Sequence, residues 1–129
     1  MSLDLAVLLI RAGGVYCLLF ALFHLFFHRL FDWDEELSRL GPLNRAIVPV
    51  LNLSLTCALA IFAVLSLAFA PDLATTGLGT VFLLLVALFW LARAIEQAVF
   101  FKLRRWVSRA FFALFLAGAA LYALPLIRA

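Results

Sequence analysis

Two histidines, His24 and His28, stand four residues apart in a stretch that otherwise reads as leucine and phenylalanine. On one continuous helix that spacing sets both imidazoles on the same face. Neutral imidazole is a common metal ligand, so a pair placed this way is half of a metal site. A second polar group interrupts another apolar run, where Arg93, Glu96 and Gln97 lie within five residues. Asn52 and Thr56 share a face of a third. Glu96 supplies the missing ligand if its helix faces the histidines, which makes His24, His28 and Glu96 a candidate site for a divalent metal ion. The wider candidate ligand-binding set is His24, His28, Asn52, Arg93, Glu96 and Gln97. An ionisable group within a bilayer is expensive enough that its position needs a reason.

Plainer readings stand beside these. Glu96 lies three residues after Arg93 and can neutralise it, as a buried arginine demands. His28 can sit in the headgroup layer beside Arg29, and His24 can bond a carbonyl or Asn52 across the bundle. Haem fits less well than a small ion, because bis-histidine ligation draws on opposite faces of the ring and these histidines share a helix. No Ser, Lys or Cys stands in a setting that activates it as a nucleophile, so the sequence identifies no reaction.

The elements that must carry these residues follow from composition. The chain has 129 residues, 68% hydrophobic and 13% charged, which excludes an ordinary soluble domain. Apolar runs cover about Leu3 to Leu30, Ala46 to Ala70, Leu78 to Phe101 and Val107 to Ile127. Each reaches the roughly 20 residues that cross a hydrocarbon core as a helix. Unpaired backbone amides are not tolerated in lipid, and the alternation needed for a closed barrel is missing. The expected fold is therefore all-α: a single antiparallel bundle of four transmembrane helices over residues 1–129, with a short interfacial helix between helices one and two. The first run is read as a retained span, since it exceeds a signal peptide's apolar core and has no basic segment before it.

Up-down-up-down threading sends the polar groups toward one side. That side receives Arg29, Arg39, Arg45, Lys102, Arg104, Arg105 and Arg109, against Arg11 and Arg128 on the other. The positive-inside rule makes the richer side cytoplasmic, with both termini outside. The net charge of +3 is split among helix ends and offset by Asp32, Asp34, Glu35 and Glu36, so no nucleic-acid partner is implied. Membrane lipid is the expected partner of these cations.

Local signals place the connections. Asp32 or Asp34 caps a short helix whose apolar positions Trp33, Leu37 and Leu40 face the interface. Gly41-Pro42 ends it, and Asn44 is placed to cap helix two. Pro49 removes one backbone bond and favours a kink near the start of that helix. Pro71 to Gly79 reads as a tight turn with Thr75 or Thr76 capping helix three, and Lys102 to Ser108 as a shorter link. Cys17 and Cys57 read as packed, reduced core thiols. Helix four carries little besides Tyr122 and reads as scaffold, its Gly118, Ala119 and Ala120 open to a neighbouring helix or a second protomer. The fourteen phenylalanines read as packing and lipid contact.

Three functions fit this pattern. The first is a small integral membrane protein with a cytoplasmic-side polar pocket for a small ligand or metal ion. A non-catalytic accessory or assembly subunit of a larger membrane complex is the second. The third is a proton-coupled transporter, although multidrug exporters of this size rely on a glutamate in the first helix, where this chain has His24. The stretches FDWDEELSRLGPLNRAIVPVLNL (31–53) and FWLARAIEQAVFF (89–101) resemble a family of small, poorly characterised bacterial four-helix inner-membrane proteins. That resemblance implies a bacterial inner (plasma) membrane location and directs attention to Asn44 and Arg45 besides the residues already named.

Overall fold

A computed structural model describes residues 1–127; Arg128, counted above among the outer charges, lies outside them. The described chain is helical, with no strand. Four helices are long and apolar enough to cross a membrane, and only 17–33% of the residues in their most apolar windows are buried. Leu8, Leu19, Leu53, Val64 and Leu85 cover the outside. A surface of that kind is compatible with a small multi-pass membrane protein.

Helix one runs over Leu3–Leu25, opened by Ser2, whose hydroxyl accepts from the Leu5 amide at 3.2 Å, with Asp4 in its first turn. It stops five residues short of the apolar run. A single turn, Phe27–Leu30, follows a break at Phe26, where no glycine or proline marks one. The physical reason lies in helix two. Asn52 Nδ2 donates to the His24 carbonyl at 2.9 Å, the carbonyl that an unbroken helix offers to the His28 amide.

The connection to helix two consists of one turn at Trp33–Glu36 and a 3₁₀ turn at Leu37–Arg39. Asp32 takes the cap position in the left-handed region without a side-chain cap bond. Arg45 fastens this segment, donating to the carbonyls of Leu37, Ser38 and Leu40 at 3.2, 3.0 and 2.9 Å. One planar guanidinium can serve three acceptors in this way because its donors fork.

Helix two spans Pro42–Ala68 and begins earlier than its apolar run. Gly41 is its cap and Pro42 opens it, so Asn44 falls in the first turn and caps nothing. Proline suits that position because its fixed φ is helical and its missing N–H is not needed there. Pro49 lies inside the helix without ending it. Cys57 is exposed, so only Cys17 is a core thiol.

Between helices two and three, Ala70–Thr75 forms a short helix where a tight turn was expected. Helix three, Gly77–Glu96, is capped by Thr76, whose hydroxyl accepts from the Gly79 amide at 3.0 Å. A π-turn, Gln97–Phe101, continues it. Helix four spans Trp106–Ala123 and a 3₁₀ turn follows at Leu124–Leu126.

Helices one and two pack along their length, as do helices three and four. Gly14 lies against Ser66 and Leu67 at one end of the first pair, while His24 meets Asn52 at the other. Gly13 sits beneath the Tyr122 ring and Gly118 beneath Tyr16, which brings helices one and four close. Gly118 is thus occupied inside the chain and is not a free surface for a second protomer. Tyr16 donates to the Leu114 carbonyl at 2.6 Å. Across the centre, Trp90 meets Tyr16 edge-on at 4.8 Å and stacks on Phe115 at 6.0 Å, while Phe62 bridges to Phe82 and Phe89.

Candidate functional site: an aromatic cavity with a polar end

Rings hold the two helix pairs apart at the end that carries His24 and Glu96, and a cavity of about 950 Å³ opens there. Its walls are mostly phenylalanine and tryptophan from helices one, three and four and from the segment after helix one, including Phe20, Phe27, Trp33, Phe89, Trp90 and Phe111, with Leu55 and Leu59 from helix two. The polar side chains on its lining are His24, Arg93, Glu96, Gln97, Arg105 and Ser108. A smaller cavity of about 340 Å³ by Leu73, Thr80 and Pro125 has no ionisable side chain on its lining. Chemistry concentrates in the larger one.

His24 is fixed by its neighbours. Its Nδ1 lies 2.8 Å from Asn52 Oδ1, and Asn52 Nδ2 is spent on the His24 carbonyl. Because a carbonyl only accepts, the amide nitrogen must face it, so Oδ1 faces the ring and Nδ1 is the donor. In the neutral ring Nε2 is then an acceptor, and it has no hydrogen-bond partner among the described residues. Thr56 donates to the Asn52 carbonyl at 2.8 Å, and Phe27 stacks on the imidazole at 4.1 Å. Asn52 itself stands behind His24 and does not line the cavity.

Arg93 and Glu96 form an ion pair on successive turns of helix three. The guanidinium also lies 4.6 Å from the centroid of Phe115, a cation–π contact that a low-dielectric setting strengthens. Gln97 is buried at the first position of the π-turn, where it donates to Ser108 Oγ at 3.0 Å. Ser108 in turn donates to the Lys102 carbonyl. Its single proton is thereby used, and Gln97 Oε1 is left facing no donor among the described residues. Arg109 closes the loop by donating to the Leu103 and Arg104 carbonyls at 3.1 and 3.0 Å.

The expected metal triad does not assemble. Among the described residues no three His, Cys, Asp or Glu side chains come together as a metal-holding group. The break at Phe26 removes His28 from the face of His24, and His28 Nε2 pairs instead with Asp34 at 3.0 Å on the exposed surface. Glu96 is engaged by Arg93. Of the six candidate ligand residues, His24, Arg93, Glu96 and Gln97 therefore share the cavity, Asn52 orients one of them, and His28 lies elsewhere.

Sequence reasoning missed Ser108, Arg105, Trp90 and the part played by the phenylalanines. It also treated helix four as scaffold, whereas Val107, Ser108, Phe111 and Phe115 supply one wall. The available signal was the concentration of aromatic residues on the same side as the polar groups.

Beyond the cavity, a second polar chain crosses the core. Ser66 and Tyr122 hydroxyls lie 2.8 Å apart, and the Cys17 thiol is 3.3 Å from Tyr122. All three residues are fully buried. Trp90 Nε1 has no oxygen or nitrogen partner among the described residues, the soft acceptor beside it being the Cys17 sulfur.

No family model matches this chain, and no curated protein or solved structure shows significant similarity to it.

Proposed function

We propose that the protein is an integral membrane protein of the bacterial inner membrane that binds a small amphipathic molecule in the cavity around His24, Arg93, Glu96 and Gln97. In this reading the four helices form an antiparallel bundle with the segment after helix one in the interface. The basic side, with the cavity mouth, faces the cytoplasm and both termini face outward. The observation that carries the reading is a cavity of about 950 Å³, walled by rings, that keeps its polar groups at one end. Apolar walls with a few convergent polar groups are the usual make-up of a small-molecule site. The asymmetry matches a molecule with an apolar body and a polar head. Arg105 at the mouth extends the polar end toward the cytoplasmic headgroups.

Native mass spectrometry of protein extracted gently from its own membrane tests this directly. Leu55 lines the cavity from helix two, so L55W puts an indole into the space. Retention of a non-protein mass by the wild type, lost in a folded L55W variant, is the expected result. If neither protein retains a small molecule, and L55W leaves uptake of an environment-sensitive hydrophobic dye unchanged, the cavity is not a binding site.

A further inference from the structure

If the cavity binds a small molecule as proposed, its hydrogen-bonding sense sets the class of ligand. Its inner polar groups offer lone pairs to a donor. His24 Nδ1 is committed to Asn52, which leaves Nε2 as a lone-pair acceptor. Gln97 gives one amide proton to Ser108, and Ser108 spends its own on the Lys102 carbonyl, which leaves Gln97 Oε1 as a second acceptor beside one remaining amide N–H. The Glu96 carboxylate, half-exposed at the cavity's edge, is a third, only partly used by Arg93. The Arg93 charge is matched by Glu96 and its face is covered by Phe115.

An anion brought to the level of His24 would meet lone pairs and a carboxylate, with the Arg93 guanidinium already paired and the other cation of the lining, Arg105, out at the mouth. Burial of a charge under those terms is unfavourable. A neutral hydroxyl meets partners it can donate to. The walls add a second requirement. Phe27 stacks on the His24 ring at 4.1 Å, and Phe20, Phe89 and Phe115 surround the Trp90 indole at centroid distances of 5.1, 5.1 and 6.0 Å. Faces and edges of this kind favour a flat π-system over a saturated chain.

We infer that the cavity takes a neutral, ring-bearing amphiphile that donates a hydroxyl to His24 Nε2, of the phenol or hydroquinone class, with its apolar tail toward lipid. Gln97 Oε1 offers a second hydroxyl an acceptor on the same lining.

The test pairs 4-decylphenol with 4-decylanisole, identical except that methylation removes the donor, and adds decyl phosphate as the anionic competitor. Binding is measured by calorimetry to the full chain in nanodiscs. The phenol is expected to bind at least about tenfold tighter than the anisole, the scale of one hydrogen bond to an otherwise unsatisfied group. H24F, which keeps a ring and removes the acceptor, is expected to close that gap. Equal binding of phenol and anisole overturns the donor inference while leaving the cavity a binding site. Tighter binding of decyl phosphate overturns it in favour of an anionic head. Failure of all three probes removes both this inference and the binding reading. The wild-type comparison decides the matter even if H24F does not fold.

Discussion

Asn52 grips His24 at two points, accepting from the imidazole through Oδ1 at 2.8 Å and donating through Nδ2 to the backbone carbonyl at 2.9 Å. The two bonds act on different properties of the same residue. One fixes which ring nitrogen carries the proton. The other caps the carbonyl of the last helical turn, and helix one ends there. A single amide on helix two thus sets both the chemistry of His24 and the departure of His28 from its face.

Because the two side chains act as a unit, their substitutions should not add. N52L and H24F are each expected to destabilise the fold, and a double-mutant cycle should return a coupling of about 0.5–2 kcal/mol, the range for side-chain hydrogen bonds between membrane helices. Equilibrium unfolding in mixed micelles measures it. Additive losses would show that the pair is not coupled.

Gly77 and Gly79 lie two residues apart in the first turn of helix three but in opposite surroundings. A Cβ on Gly79 would run into the Leu73 backbone, which cannot swing aside as a side chain does; a Cβ on Gly77 meets nothing within 4 Å. G79A should therefore cost about 1–3 kcal/mol through overpacking. G77A should change stability by less than about 0.5 kcal/mol, as at an open surface site. Thermal unfolding of the two variants side by side compares them, and equal effects would contradict the close approach.

Tyr122 joins Ser66 to Cys17 where all three are out of reach of solvent. Y122F keeps the ring over Gly13 and removes only the oxygen, leaving the Ser66 hydroxyl without its partner. A loss of about 1–2 kcal/mol is expected from the orphaned group. Adding S66A should recover part of it, because the unsatisfied partner is then gone. A double variant less stable than Y122F would exclude this account.

Lys102 has φ 60° and ψ 164°, a backbone region that is nearly confined to glycine. The π-turn before it and the bonds from Ser108 and Arg109 around it hold the loop at the cavity's edge. K102G should relieve about 1–3 kcal/mol of strain against up to about 1 kcal/mol of lost chain entropy, for a net gain near 1 kcal/mol. K102V should lose stability, since a β-branched residue fits that region worst. Unfolding midpoints of the two variants check the sign.

Much of the molecule was legible because it is local. Four apolar runs became four long helices, Thr76 became the cap of helix three, and Arg93 paired with Glu96 three residues on. Each of these depends on spacing along one segment. The misplaced cap shows the limit: Asn44 is a good cap by type, but Pro42, two residues earlier, had already started the helix.

By itself, then, the sequence determined the class of fold, the number of long apolar helices and the helix ends at which polar groups gather. Tertiary structure alone decided which of them meet. In a helix that is apolar all round, packing against protein and facing lipid call for the same residues, so periodicity does not set its rotation about its own axis. Cys57 faces out, Gly118 lies under Tyr16, and helix four lines a cavity for that reason. The fate of His28 was settled by a side chain from another helix, which no pattern within helix one encodes.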